Sequence, residues 1–314
     1  MPYETKDNHK FNDPFVTAKG ETRAKVSYDG TKTLWLNTGT LCNIECVNCY
    51  IESSPSNDRL VYLSVEDVLP FLDELEARGE CPIEIGFTGG EPFMAPEILD
   101  ILDLALARGH AVLMLTNAMK PMMRPRIKGG LIGLREAYGD KLTLRVSLDH
   151  YTADLHDTER GKGAFEETLK GLCWLAENGF QVALAGRTMW GEEEQSERAG
   201  YAGLIEQIGL AIDPLDASQL VLFPEMQPDA DPPEITTECW DILGQSPQEL
   251  MCASQRMIVR RKGDRKARVI ACTLLPYDAQ FELGNTLSEA DKDVALNHPY
   301  CASFCVLGGG TCSA

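Results

Sequence analysis

The chain has 314 residues, 44% of them apolar, enough to pack one large domain with a smaller one beside it. Its net charge of −19 opposes nonspecific nucleic-acid binding, which needs Lys and Arg to displace phosphate counterions. No apolar run reaches the roughly 18 residues of a membrane helix, the start lacks a signal-peptide pattern, and eleven cysteines, an odd number, read as reduced thiols of a cytoplasmic protein rather than a disulfide framework.

Residues 1–33 read as a polar arm and a hairpin, with residues 24–28 and 31–37 as its two strands around Asp29-Gly30. The second strand runs into Leu-Cys42-Asn-Ile-Glu-Cys46-Val-Asn-Cys49-Tyr50. Ser64 and Asp67 have capping-box spacing, with Asp in place of the usual Glu or Gln, and open an amphipathic helix to Arg78 that Gly79 stops. Residues 83–88 are a strand ending in Gly89-Gly90-Glu91-Pro92, followed by a broadly apolar helix over 95–108. Strands at 111–116, 142–148, 182–185 and 219–223 then alternate with helical runs near 131–138, 165–178 and 201–208, and residues 156–163 read as a loop opening a helix. Six strands separated by helices predict an α/β fold with a parallel sheet and right-handed crossovers, and periodicity alone does not separate a barrel from an open sheet. From Pro224 the alternation stops: 224–251 read as a Pro- and acid-rich linker, and 252–314 as a small cysteine-rich region. Within it Cys252 and Cys272 flank a hairpin of residues 256–260 and 267–271, and Cys301, Cys305 and Cys312 follow in a Gly-rich tail.

Cys42, Cys46 and Cys49 supply three thiolates from one loop, one short of a closed site. Three ligands leave the fourth iron of a 4Fe-4S cluster open, whereas a structural zinc site wants four ligands and nothing nearby completes a tetrahedron. Gly89 and Gly90, lacking side chains, let backbone approach a ligand closely. Together these motifs resemble the radical S-adenosylmethionine (SAM) superfamily, a resemblance that covers residues 34–223. It implies a (β/α)6 partial TIM barrel with the cluster on the loop after the first strand, SAM chelating the open iron, and reductive cleavage to a 5′-deoxyadenosyl radical. By the same resemblance Glu91 accepts from the SAM ammonium, Ser147 meets the ribose, Arg187 pairs with the SAM carboxylate, and Asn117 lies at a cofactor-facing strand end. Two features depart from the pattern: the aromatic beside the third cysteine is Tyr50 rather than a residue at Asn48, and the segment around Trp190 only loosely matches the adenine-binding one.

The five tail cysteines resemble the SPASM or shorter twitch extension, which implies an auxiliary 4Fe-4S cluster. A full SPASM set has more cysteines, so one auxiliary cluster is expected, held by four of the five or by three with an open iron; Cys-x3-Cys spacing by itself leaves zinc open. Cys81, Cys173 and Cys239 read as core or incidental thiols. The expected activity is hydrogen abstraction from a small-molecule or peptide substrate, with the auxiliary cluster as acceptor in a two-electron oxidation or as substrate anchor or relay. An external one-electron reductant such as a flavodoxin or ferredoxin is implied. Asp149, His150 and Glu225 are candidate general bases by position. Only about 33 mostly polar residues precede the barrel, which tilts the substrate toward a small molecule. The alternative is a noncatalytic iron-sulfur or zinc protein acting as redox sensor or assembly partner.

Overall fold

Strands covered on both faces need apolar residues at every position, and β2 (Thr33–Asn37) and β3 (Glu84–Thr88) are buried along almost their whole length. The computed structural model describes residues 9–226 and 231–310. In it β2, β3, β4 (Ala111–Thr116), β5 (Leu142–Ser147), β6 (Gln181–Arg187) and β7 (Leu220–Phe223) run parallel in that order, the six strands of the expected α/β unit. The crossovers are α1 (Val65–Arg78), α2 (Ile98–Ala107), α3 (Pro125–Tyr138), α4 (Ala153–Arg160) with α5 (Ala164–Glu177), and α6 (Glu194–Ile208). The Ser64 and Asp67 side chains cap α1 reciprocally, as their spacing predicts, and Gly79 ends it in the left-handed region.

Three expectations change. First, β1 (Lys25–Val26) does not pair with β2; it pairs antiparallel with β11 (Val294–Ala295), so the N-terminal hairpin is not formed. Second, residues 153–160 are the helix α4 rather than a loop, carrying buried His156 and Glu159. Third, residues 231–251 are not a bare linker. Glu234 forms a buried ion pair with Arg23 and accepts from the Phe11 and Ala18 amides at 2.7 Å each, which pins the N-terminal arm. Short helices α7 (Cys239–Leu243) and α8 (Met251–Ser254) follow.

The cysteine-rich region continues the main sheet. β8 (Gln255–Val259) lies parallel to β2 with Leu34 opposite Arg256, and β9 (Arg268–Ile270) and β10 (Glu282–Gly284) add antiparallel beyond it. Nine strands thus form one sheet in the order β10-β9-β8-β2-β3-β4-β5-β6-β7. One buried cluster, running from Phe11 through Trp35 and Leu144 to Phe304, packs the whole. Among the described residues no helix is long and apolar enough to cross a membrane.

Candidate active site

Parallel strands put all their carboxyl ends on one side of the sheet, so the loops that follow them meet there. A cavity of about 170 Å³ opens at that end, walled by Cys42, Cys46 and Cys49 after β2, Gly89 and Gly90 after β3, Asn117 after β4, Ser147 and Asp149 at β5, Arg187 at β6 and Glu225 after β7. The three thiols therefore share one cavity with most of the strand-end residues singled out in the sequence. Among the described residues no three His, Cys, Asp or Glu side chains converge closely enough for a single metal ion; a cluster of four irons and four sulfides is wider than an ion.

The donor set fits such a cluster. All three thiols are unbridged, the Ser53 amide donates to Cys49 Sγ at 3.3 Å, and Asn117 Nδ2 lies 3.9 Å from Cys42 Sγ. N–H groups aimed at sulfur are one of the protein's means of tuning an iron-sulfur centre. Burial pushes the Cys42 thiol up to about 12, helped by nearby Glu91, and raises Cys46 against the opposing pull of Arg160. Ligation has to displace those protons.

The two glycines line the cavity, and each also has a steric reason to lack a side chain. Gly89 has φ +138°, and a Cβ there would sit 2.5 Å from the Gly39 carbonyl oxygen; a Cβ on Gly90 would sit 2.2 Å from that of Leu41. Both let the turn after β3 lie against the backbone that leads into the cysteine loop, and the Gly90 and Glu91 amides donate to Gly39 and Leu41 oxygens at 2.8 and 3.2 Å. Glu91 itself is buried and turned away from the cavity wall. Its carboxylate accepts from Thr116 Oγ1 and the Asn117 amide at 2.9 Å each and from the Phe93 amide at 3.2 Å. Burial raises its carboxyl to about 7. In this arrangement it ties the ends of β3 and β4 together.

Two of the three candidate bases, Asp149 and His150, are placed unfavourably for proton abstraction. Asp149 lines the cavity but is held by Arg160 at 2.7 and 2.9 Å and by Arg187 at 3.5 Å. Burial would raise its carboxyl, yet the two guanidiniums outweigh burial and hold it below the ordinary range. A paired carboxylate of depressed pKa is a weak base. His150 is buried behind the wall, its ring bonded to Thr152 Oγ1 at 2.8 Å and Glu192 at 3.1 Å and set edge-on to Trp190. It does not reach the cavity. Trp190 is likewise absent from the wall, whereas Tyr50 is part of it.

Sequence reading missed Arg160 and Glu159. Arg160 is a largely buried cation of the wall, raised in pKa by Asp149, Cys46 and Cys49 against the cost of burial. Glu159 accepts from Asn48 Nδ2 at 3.0 and 3.1 Å and lies 3.6 Å from Arg187, whose own Nη2 donates to the Asn48 carbonyl at 3.1 Å. The cysteine loop is thereby bolted to α4. The only signal was an Arg just before Gly161-Lys162-Gly163, which reads as part of a loop opening the next helix.

A second, smaller cavity of about 30 Å³ is lined by Cys252, Cys272, Cys301 and Cys305 together with Arg256. Burial pushes the Cys252 thiol up to about 11 and Cys301 up to about 12. Cys312 lies outside the described residues. Cys81, Cys173 and Cys239 border neither cavity.

Residues 36–202, more than half of the chain, match the radical SAM superfamily. The antilisterial bacteriocin subtilosin biosynthesis protein AlbA of Bacillus subtilis (strain 168) is 33% identical over 167 residues, 52% of this chain and 35% of AlbA. The mycofactocin maturase MftC of Mycolicibacterium smegmatis is 31% identical over 142 residues, 45% of this chain and 33% of MftC. The matched segment thus spans about a third of the length of these curated relatives. Streptococcus suis SuiB, solved bound to its precursor peptide SuiA, superposes with a TM-score of 0.60 at 12% identity over 84% of this chain and 65% of SuiB, a likeness of fold. With a match that runs from the end of β2 through the three cysteines to α6, the chain belongs to the radical SAM superfamily of enzymes, whose cofactors are a 4Fe-4S cluster and SAM.

Proposed function

We propose that the chain is a radical SAM oxidoreductase acting on a peptide, with one 4Fe-4S cluster on Cys42, Cys46 and Cys49 and an auxiliary one on Cys252, Cys272, Cys301 and Cys305. The observation that carries this reading is that two cysteine-lined cavities are bordered by neighbouring residues of the same two segments. Leu274 and Phe304 border the first cavity, while Cys272 and Cys305, two residues and one residue away in sequence, border the second. A substrate held in the first cavity would therefore stand close to the auxiliary site, the arrangement needed for passing an electron onward. The peptide class is supported by AlbA, named for bacteriocin biosynthesis, and by SuiB, solved bound to a precursor peptide; on this ground we favour a peptide over a small molecule.

When bound, the cluster and SAM supply a one-electron cleavage and with it a carbon radical able to take a hydrogen atom from the substrate. The protein's part is placement and shielding. Ile51, Leu115, Phe223, Met226, Leu274 and Phe304 make the cavity predominantly apolar and keep water from a reactive centre. Arg160 and Arg187 place positive charge beside the thiols, with Asp149 fixing both. Ser147 and Asn117 offer hydrogen bonds for the cofactor's polar groups. Glu225, at the substrate-facing end of β7, is the carboxylate of the wall best placed to remove a proton from an oxidised substrate.

The test is anaerobic reconstitution with iron and sulfide counts and an assay of 5′-deoxyadenosine from SAM and dithionite. About eight irons per chain, with cleavage lost in Cys42→Ala/Cys46→Ala/Cys49→Ala, is expected. Loaded protein that makes no 5′-deoxyadenosine under reducing conditions would instead make it a noncatalytic iron-sulfur protein. Cleavage driven by reduced flavodoxin or ferredoxin in place of dithionite would identify the class of reductant.

A further inference from the structure

The four thiols of the second cavity share its wall with a cation. Arg256, on β8, is 1% exposed and lines the same space as Cys252, Cys272, Cys301 and Cys305. Its guanidinium is held by neutral acceptors. Nε donates to the Ala290 oxygen at 3.1 Å, Nη1 to the Cys252 and Gln255 oxygens at 2.7 and 2.8 Å, and Nη2 to the Lys292 oxygen at 3.1 Å. Its flat face lies 4.1 Å from the ring centre of Tyr28. These partners satisfy the hydrogen bonds and leave the charge. Among the described residues the carboxylate whose field reaches Arg256 is Asp291, and that group is already paired with Arg78 at 2.9 Å.

An unpaired buried charge costs several kcal/mol, and the cost is recovered where a counter-charge is present in the working state. A 4Fe-4S core held by four thiolates is such a counter-charge, an anion that becomes more negative on taking up an electron. We propose that Arg256 is the built-in counter-cation of an anionic iron-sulfur cluster in this cavity and raises its reduction potential, so that the cluster serves as an electron acceptor. The inference rests on the reading of the second cavity given above. One electron enters and no proton need accompany it; the donor is the substrate radical in the proposed reaction and dithionite in the test. Arg256 acts through its field, as a tuning residue, and touches neither substrate nor SAM.

The experiment uses the full chain carrying Cys42→Ser/Cys46→Ser/Cys49→Ser, so that only the second site can load. Iron and sulfide are counted after anaerobic reconstitution, and the midpoint potential is read by electron paramagnetic resonance during a dithionite titration. Arg256→Met removes the charge and Arg256→Lys keeps it. Because Arg256 also ties four backbone oxygens, Arg256→Met can fail to fold. Tyr28→Glu therefore supplies the decisive variant, since it leaves the guanidinium bonded and sets a carboxylate beside it, with Tyr28→Gln as control. Arg256→Met and Tyr28→Glu are expected to shift the reduction equilibrium at least tenfold toward the oxidised form, about 59 mV for one electron, while Arg256→Lys and Tyr28→Gln stay within about threefold. Loaded Tyr28→Glu with an unmoved potential would overturn the role of Arg256 while leaving the cluster in place. A parent that takes up zinc or no metal would overturn the reading of the site, and the role of Arg256 with it.

Discussion

His156 is a buried imidazole with no hydrogen-bond partner on either ring nitrogen among the described residues, packed edge-on to Phe165. Burial, with Arg160 nearby, lowers its pKa from 6.5 to about 4. The native state therefore keeps it neutral over a range in which the unfolded chain binds a proton. Its contribution to stability is complete above pH 6.5 and is lost as pH falls toward 4, on the order of 3 kcal/mol in all. In metal-free protein, His156→Leu should lower the pH dependence of urea-unfolding free energy by about 1.4 kcal/mol per pH unit between pH 6 and 5. It should cost little at pH 7.5, because two unpaired nitrogens leave with it. An unchanged pH slope would mean that the imidazole titrates freely in the native state. At this scale the sequence exposed residues whose chemistry is local. Cys42, Cys46 and Cys49 announce themselves by type and spacing, and the structure gathers them on one cavity with Asn117, Ser147 and Arg187. It did not expose the partners that decide charge. Asp149 reads as a base until Arg160, eleven positions on, is seen to hold both its oxygens.

Secondary elements were legible where one physical signal dominated. The capping box of α1 and the apolar run of β4 are complete in a few residues, and both elements have the boundaries their sequences predict. The helix α4 was not legible because Ala-Asp-Leu-His-Asp-Thr-Glu-Arg buries polar residues, His156 and Glu159, and so shows no apolar period. The packing of α5 gives a sharper case. Gly171 sits inside that helix, where glycine costs about 1 kcal/mol relative to alanine, but a Cβ there would lie 1.9 Å from the Ala118 oxygen. The helix is pressed against the turn that presents Asn117, and Thr168 Oγ1 donates to the Asn117 oxygen at 3.2 Å. Gly171→Ala should therefore destabilise by about 1–3 kcal/mol through overpacking and lower iron retention at the first site by displacing Asn117. Gly203→Ala in α6, where nothing lies within 4 Å, should instead stabilise by up to about 1 kcal/mol. Urea titrations and iron counts of the two variants check the contrast, and equal effects would remove the steric argument.

At the scale of the whole molecule, a boundary read from composition does not coincide with a break in the sheet. Pro and acidic residues after Phe223 signal a linker, but pairing between distant strands leaves no local trace, and β8 joins β2 across more than 200 positions. Trp35, fully buried on β2, donates its indole N–H to Gln255 Oε1 at 2.9 Å, so an interior strand of the sheet is completed from the C-terminal side. The N-terminal arm is closed in the same way, by Arg23 on Glu234 and by β1 on β11. Removing residues 251–314 would leave β2 as an edge strand, unpaired on one side, and expose Leu34, Trp35 and Leu36, an apolar edge of the kind that invites aggregation. A chain ending at residue 250 is therefore expected to be insoluble or to melt without cooperativity, although it contains every residue of the family match. The intact metal-free chain should unfold in one transition followed identically by circular dichroism and by tryptophan fluorescence. If the shortened chain melts cooperatively within a few degrees of the intact one, β2 does not depend on β8, and the cysteine-rich region is an attachment to the barrel rather than part of its sheet.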